Sequence, residues 1–254
     1  MKTIKLLLVA LVVTAFTQVQ AQTADEIVNN YLEAIGGKEQ LSKIKSIKML
    51  GTINAQGMEI PIEMVNTSNG SAYVQIEFQG QKMKQLVSNG TKAWTMNMMA
   101  QKMEEIPSDM SKIMIEEFKD FPNPFINYNE KGYKIELIGE ETQEGTACYK
   151  VKLAKPNMTI DGEEVQNVSF YYFDTENFVP IMVESEVPAG PAKGQIMKTP
   201  LSDYQEVDGV YFPFSTVAQG MPMTYSKIEI NPVVDAKAFE VAEEKPAPTE
   251  DKKN

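Results

Sequence analysis

Hydrophobic and polar residues alternate one by one along much of the chain. Between residues 58 and 64 every second side chain is apolar, and the stretch 72–78 repeats this pattern. A period of two is typical of β-strands that have one apolar and one solvated face. The runs are separated by short turn motifs, Asn69-Gly70, Gly80-Gln81 and Asn89-Gly90. The pattern therefore predicts an antiparallel meander of about five strands between Ser46 and Asn97.

The same alternation returns in the second half of the chain. It is clearest at residues 133–137 and 147–153, where apolar residues alternate with charged ones. Further strand-like runs lie at 168–173, 179–187, 195–204, 210–216 and 224–230. Together with the first half, these runs predict a mainly β protein of about eleven antiparallel strands.

Two segments repeat their apolar residues at the spacing of a helix instead. The first begins with a Thr23-x-x-Glu26 capping box and ends at Gly36-Gly37, which predicts an amphipathic helix of about three turns. The second runs from Ser108 to Phe121 and is followed directly by Pro122, a residue that cannot continue a helix. The sequence thus predicts two helical segments beside a large sheet.

An antiparallel sheet of this size has to cover its apolar face. It can do so by curling, with the helices laid across the concave side. The sequence therefore predicts an incomplete antiparallel barrel whose concave apolar face is covered by helices. A barrel interior filled with side chains would be a scaffold, whereas a void would be a pocket for acyl chains. The sequence does not distinguish between a filled interior and one with a void.

The first 21 residues have the pattern of a cleaved signal peptide. Two lysines precede an apolar run from Leu6 to Phe16, and the small-residue site Val19-Gln20-Ala21 follows. This run is shorter than the roughly 20 residues that span a bilayer, so we expect cleavage between Ala21 and Gln22. No cysteine stands directly after that site, and we expect a soluble periplasmic protein that is not lipidated. The predicted organisation is one half-barrel domain at 22–241 and a disordered, acidic, proline-containing tail at 242–254.

Composition removes most enzyme classes from consideration. All 24 basic residues are lysines, and the chain has no arginine and no histidine. Ser-His-Asp and Cys-His catalysis and His-ligated zinc or haem are therefore excluded, and no Gly-x-Ser-x-Gly nucleophile motif occurs. The net charge of −11 argues against nucleic acid as a partner. We expect a protein without enzymatic activity and without a cofactor.

The single cysteine has no partner for a disulfide within the chain. In the strand predicted at 147–153, Cys148 lies on the same face as Lys150 and Lys152. Only Lys150 is near enough in sequence to favour the thiolate form. We expect a weakly exposed and unreactive thiol.

Six of the 16 methionines lie between residues 96 and 114. Flexible thioethers can form an adaptable ligand surface under a lid, fill an irregular core, or bind Cu(I). Copper sites usually recruit cysteine or histidine as well, and we predict no metal site. Trp94 could stack on a ligand or anchor the core. The candidates for the apolar lid and cavity are Ile27, Tyr31, Trp94, Met96, Met98, Met103, Met110, Ile113, Met114, Phe118 and Phe121.

Several short motifs are similar to those of a known family. They are Ala24-Asp25-Glu26-Ile27-Val28, the run from Tyr31 to Glu39 with Gly36-Gly37, Gly90-Thr91-Lys92-Ala93-Trp94, and the run from Ser202 to Phe214 with Asp208-Gly209-Val210-Tyr211-Phe212-Pro213. With them the chain resembles, from about Ala24 to Val241, the exported outer-membrane lipoprotein-sorting proteins of Bacteroidetes type. These look like a branch of the LolA/LolB-like superfamily of periplasmic lipoprotein carriers.

This resemblance implies a fold, a cargo and partners. It implies an unclosed barrel of about eleven strands under helices, which holds lipoprotein acyl chains and passes them across the periplasm without chemistry. Sorting proteins of the inner or outer membrane would be its partners. LolA-type carriers resemble one another in an arginine that tethers the lid to a barrel strand, whereas this chain could use only lysine, which donates as a point charge. The LolB receptor is itself a lipoprotein, and this chain has no cysteine at the cleavage site.

Two functions follow from these observations. The first is periplasmic binding and transfer of lipoprotein acyl chains, or of another apolar ligand, in a lidded half-barrel. The alternative is an envelope protein-interaction or sensor domain whose interior is packed.

Overall fold

The structure of the protein is a computed structural model, which describes residues 22–190, 192–218 and 220–241. The described residues form 13 β-strands, three α-helices and one short 3-10 helix. The predicted signal peptide with its cleavage site at Ala21 and the predicted tail at 242–254 lie outside the described residues. No helix in the described part of the chain is long and apolar enough to cross a membrane.

The elements follow one another in two meanders. The helices are α1 (Ala24–Ala34), α2 (Lys38–Ser42) and α3 (Ser108–Lys119), and the 3-10 helix is Ala236–Phe239. The first meander consists of β1 (Ser46–Ala55), β2 (Met58–Thr67), β3 (Ser71–Phe78), β4 (Gln81–Asn89), β5 (Ala93–Asn97) and β6 (Lys102–Glu105). The second consists of β7 (Lys134–Gln143), β8 (Thr146–Ile160), β9 (Glu163–Asp174), β10 (Pro180–Glu186), β11 (Ile196–Val207), β12 (Val210–Ala218) and β13 (Met221–Ile230).

All 13 strands form a single antiparallel sheet. Its order is β6-β5-β4-β3-β2-β1-β13-β12-β11-β10-β9-β8-β7, so the two meanders are joined where β1 pairs with β13. The edge strands β6 and β7 do not pair with each other, and α3 connects them along the chain. The predicted incomplete antiparallel barrel is confirmed. The sheet has 13 strands rather than about eleven, in part because the four-residue β6 has a single apolar residue, Met103, and therefore shows no alternation.

The strand register assigns each residue of the sheet to one of two faces, because residues opposite each other in antiparallel strands point to the same side. We call the face that α1 and α2 cover the inner face, and the opposite face the outer face. Val151, Phe173 and Phe214 are inner-face residues that are buried together with α1. The main hydrophobic core therefore lies between α1 and the second meander.

Helix α1 supplies much of this core. Ile27, Val28 and Leu32 have no exposed surface, and full burial of such side chains contributes about 1.5–3 kcal/mol each. The predicted capping box is present: the Glu26 backbone N–H donates to Thr23 Oγ1 at 3.2 Å, and the Thr23 N–H donates to Glu26 Oε2 at 2.8 Å. The helix thus begins where the sequence predicts.

A close backbone contact explains the glycine that follows α1. Gly36 has a φ of +122°, and a Cβ at this position would lie 2.5 Å from the carbonyl oxygen of Gly209. Directly beside it, the Tyr211 N–H donates to the Ile35 carbonyl at 3.0 Å. Gly36 therefore lets the end of α1 meet the β11–β12 turn.

The outer face has its own covering in the first meander. The segment after β13 crosses it, and Phe239 packs on Val65, Tyr73 and Val87, with a distance of 5.8 Å between the Tyr73 and Phe239 ring centroids. Lys84 donates to the carbonyl of Ala238. The outer face of β2–β4 is thus occupied by the chain itself.

Cys148 lies on the outer face of the second meander, as the alternation predicts. It is a free thiol, but it is fully buried with Tyr172 and Met182 of the neighbouring strands, rather than weakly exposed as we expected. Lys150 extends over the Tyr172 ring, with Nζ 5.1 Å from its centroid. Burial raises the pKa of the Cys148 thiol, which keeps it in the unreactive protonated form.

A candidate ligand-binding trough on the inner face

The inner face of the first meander carries an apolar cavity of about 470 Å³. Its walls are side chains of the sheet alone, and we call it the inner trough. It is lined by Ile53, Ala55, Ile60, Ile62, Met64, Val74, Ile76, Gln85, Leu86, Thr95, Met221 and Met223. Gln85 and Thr95 are the only two of these residues with polar side chains. The trough is therefore suited to an apolar ligand.

Strand register brings these residues together. Ile53 of β1 lies opposite Ile60 of β2 and Met223 of β13. One step further along the sheet, Ile62 lies opposite Ile76 of β3, and Val74 of β3 faces Leu86 of β4. The alternation visible in the sequence thus becomes one continuous apolar surface across five strands.

An irregularity in β4 turns a polar side chain into the trough. The pairing of β3 with β4 shifts between Val74 and Gln75, so that Gln85 has no partner in β3. Its backbone carbonyl accepts a hydrogen bond from Thr95 Oγ1 at 3.2 Å. Its side-chain Nε2 is buried and makes no hydrogen bond. A buried donor left unpaired costs about 1–3 kcal/mol, so Gln85 offers this trough a donor for a polar atom of a ligand.

Tyr225 marks the boundary between the trough and the core under α1. Its ring packs against that core, and its hydroxyl donates to the sulfur of Met64, a trough residue, at 3.7 Å. Burial raises the pKa of Tyr225 to about 12. Opposite Tyr225, a Cβ on Gly51 would lie 2.1 Å from the Thr224 carbonyl oxygen, so only glycine fits there. The inner face is therefore packed on one side of Tyr225 and open on the other.

Helix α3 lies at a different place, over the far end of the first meander. Ile115 is buried against the β2–β3 turn. It lies so close that a Cβ added to Gly70 in this turn would be 3.2 Å from the Cγ2 atom of Ile115. Ser111 Oγ accepts a hydrogen bond from the Ala93 N–H at 2.8 Å. From there α3 leads toward β8, and a second, more polar cavity of about 620 Å³ lies between them.

A buried charge cluster fixes the end of α3 to β8. Asp120, which directly follows the helix, lies 2.6 Å from Lys155 Nζ and 3.2 Å from Lys131 Nζ. The Tyr133 hydroxyl donates to the same carboxylate at 2.7 Å, and burial together with this hydrogen bond raises the pKa of Tyr133. Lys155 thus forms the tether between the end of α3 and strand β8. It does so in a chain that has no arginine.

Replacing Lys155 with methionine should loosen the end of α3. Methionine keeps an apolar stem but removes the charge beside Asp120, and a hydrogen bond to a charged group contributes about 1.5–3 kcal/mol. We expect amide hydrogen exchange in α3 to accelerate by at least about tenfold. Lys131→Met is the matched control, because it leaves the shorter Lys155 pair intact. Equal protection of α3 in wild type and in Lys155→Met would contradict the tether.

The residues predicted for the lid and cavity lie in four different places. Ile27, Tyr31 and Phe121 belong to the core under α1. Trp94, Met96 and Met103 lie on the outer face, where Trp94 and Met103 pack near Phe239, and Met98 is exposed in the β5–β6 turn. Met110, Ile113, Met114 and Phe118 are half-buried on α3, and Ile113 lines the second cavity. None of the eleven lines the inner trough.

The side chain of Tyr31 is held within the core under α1. Its hydroxyl accepts a hydrogen bond from Asn123 Nδ2 at 2.6 Å, and its ring lies 5.2 Å from that of Phe173. Burial raises its pKa to about 12.

The residues of the trough itself were visible in the sequence only as the apolar half of each alternating strand. That pattern does not tell which part of an inner face the helices leave open.

Comparison with known proteins identifies solved structures with a similar fold. No family model matches the chain, and no curated protein matches it. A LolA superfamily protein from Nitrosomonas europaea is similar in structure, with a TM-score of 0.50 and 14% identity over 87% of this chain and 98% of that one. This likeness shows a LolA-like fold.

Two further solved structures are similar at somewhat lower scores. A putative outer membrane lipoprotein-sorting protein domain from Vibrio parahaemolyticus has a TM-score of 0.48 and 14% identity over 84% of this chain and 94% of that one. A DUF1329 family protein from Desulfovibrio piger has a TM-score of 0.47 and 13% identity over 85% of this chain and 97% of that one. The resemblance to the Bacteroidetes type in particular stays a prediction.

Proposed function

We propose that this protein binds a linear apolar ligand, such as a lipoprotein acyl chain, in the inner trough and releases it unchanged. The observation that carries the proposal is the trough itself, an open apolar surface on the inner face of a LolA-like sheet. The cargo class comes from the superfamily of the similar structure and from the sequence resemblance. No covalent step and no cofactor belong to this function.

The size and the lining of the trough support an acyl chain. Its volume of about 470 Å³ falls within the roughly 300–1,000 Å³ of small-molecule pockets. Each methylene group removed from water contributes about 0.8 kcal/mol, so a chain of ten carbons gains on the order of 8 kcal/mol before the entropic cost of association. Gln85 Nε2 would donate to an ester or carboxyl oxygen at one end of the chain.

The packed-interior alternative applies to the other half of the inner face. There each of the rings of Tyr31, Phe125, Tyr171 and Phe173 lies within about 6 Å of at least two of the others, and together they form a packed aromatic cluster. The trough lies beyond Tyr225 and is bounded by the sheet alone. A ligand would therefore lie on the first meander and the adjoining strand β13, while β7–β12 and α1 act as the scaffold.

Location and partners complete the proposal. The predicted signal peptide would place the protein in the periplasm, where a carrier of acyl chains would meet sorting proteins of the two membranes. Export would depend on this signal peptide, release into the periplasm on its cleavage between Ala21 and Gln22, and the lack of a lipid anchor on Gln22 standing where a lipoprotein has cysteine.

A comparison of native and denatured mass spectra tests this function. The full chain is expressed in a bacterial host that exports it and is purified without detergent. We expect the denatured spectrum to give the mass of a polypeptide that begins at Gln22. The native spectrum should give a mass that is larger by one lipid molecule, which denaturation releases. A native mass equal to the polypeptide mass in a well-folded sample would overturn the proposal.

A further inference from the structure

Three hairpin turns of the first meander lie at the same end of the sheet. Because β1 to β6 are antiparallel neighbours, the β1–β2, β3–β4 and β5–β6 turns share one end, and the β2–β3 and β4–β5 turns share the other. Helix α3 packs on that other end through Ile115 and Ser111. The end with the three turns is free of α3, and we call its turns, residues 55–58, 78–81 and 98–101, the open rim.

The turns of the open rim contain no charged residue, and the four charged residues directly beside them, Glu59, Glu77, Lys82 and Lys102, are two acidic and two basic. The turn sequences are Ala-Gln-Gly-Met, Phe-Gln-Gly-Gln and Met-Met-Ala-Gln, although 23% of the residues in the chain are charged and the net charge is −11. The rim also exposes large apolar side chains. Met58 is 55% exposed, Phe78 42%, Met98 64% and Met99 98%. Exposed apolar side chains concentrated at one end of a protein mark an interaction site.

The rim is continuous with the inner trough. Ala55, which lies opposite Met58 in the β1–β2 pair, lines the trough. Phe78 follows the trough residue Ile76 by two positions in the same strand and therefore points to the same face. An apolar path thus leads from the trough to the exposed turns.

We propose that the open rim docks on a neutral lipid surface, that is, a bilayer with zwitterionic headgroups. The two lysines that flank the rim, Lys82 and Lys102, are matched in number by Glu59 and Glu77, so the rim has no excess of positive charge with which to bind anionic headgroups. The remainder of the acidic protein would be repelled by such headgroups. The apolar side chains of the rim are distributed over three turns, each of which also contains glutamine. This arrangement lets the apolar side chains enter the headgroup region while the amides stay hydrated. This surface goes beyond the proposed function, since docking requires no ligand in the trough.

Flotation with phosphatidylcholine vesicles tests the rim. The test variant is Phe78→Gln with Met98→Gln and Met99→Gln, and the matched control is Ile138→Gln with Val233→Gln, two exposed apolar residues outside the rim. We expect wild type and control to float with the vesicles, and partitioning of the rim variant to fall about tenfold. Raising the salt concentration from about 0.1 to 0.5 M should leave wild-type binding unchanged, because the contact is apolar.

Several outcomes would overturn the proposal. These are a wild-type protein that does not float, a rim variant that floats as well as wild type, or binding that appears only with anionic vesicles. Native mass spectra of the same samples separate this test from the proposed function. A rim variant that keeps its lipid but loses flotation supports the rim, and a wild type that floats without any lipid would refute only the trough.

Discussion

Replacing Ile60 and Ile76 with glutamate should abolish retention of an apolar ligand. Both residues are half-buried in the wall of the inner trough, on the neighbouring strands β2 and β3. A bound acyl chain would remove water from the two new carboxylates, and burying an unpaired charge is expensive. We expect the affinity for a fluorescent fatty acid to fall by more than about a hundredfold, measured by equilibrium titration.

The matched control places the same two charges on the outer face of the same strands. Pro61→Glu with Gln75→Glu alters β2 and β3 without touching the trough, so its affinity should equal that of wild type. A second test variant, Thr95→Trp, occupies the trough by bulk at an exposed position and introduces no charge. If both trough variants are folded and bind the probe like wild type, the ligand does not occupy this surface.

The largest loss of stability should follow the replacement of Phe173 with alanine. Phe173 is fully buried, and its ring lies 5.2 Å from Tyr31, 5.7 Å from Phe125 and 6.1 Å from Tyr171. Deleting such a ring costs about 3–5 kcal/mol of unfolding free energy. For a domain of this size, we expect the melting temperature to drop by about 10 °C.

Phe78→Ala is the control for this loss, because it deletes the same ring from the exposed rim. Its change in unfolding free energy should stay within about 0.5 kcal/mol. Phe173→Ala should still bind the fatty-acid probe below its melting temperature, since the ring lies outside the trough. Equal stability of the two variants would mean that the aromatic core under α1 does not hold the fold.

Local patterns in the sequence predicted much of this architecture. Alternation identified nearly all the strands, and the Thr23 capping box identified the start of α1, because both signals depend on neighbours within a few residues. The pairing of β1 with β13 gave no such signal. It joins Ile47 to Ile230, residues that are far apart in the chain, and the choice depends on how the whole sheet curls.

The candidate site was harder to predict for a related reason. The methionines at 96 and 103 suggested a lid, but a period of two places Met96 on the same face as Trp94 and opposite to Thr95, which lines the trough. Which face is the inner one depends on where α1 docks, and no local pattern contains that information. Gln85 was equally hidden, since an irregularity in strand pairing arises between strands and leaves no mark in either one.

The pairing of β1 with β13 also affects the order in which the protein can be assembled. The first meander consists of local hairpins and can form once the chain is available as far as Glu105, but its β1 edge stays unpaired until β13 is available as well. Contacts between such distant segments form slowly, and an unpaired strand edge is a template for aggregation. A chain that has formed only the first meander therefore exposes the β1 edge, and this is the stage of folding at which pairing with another chain is most favoured.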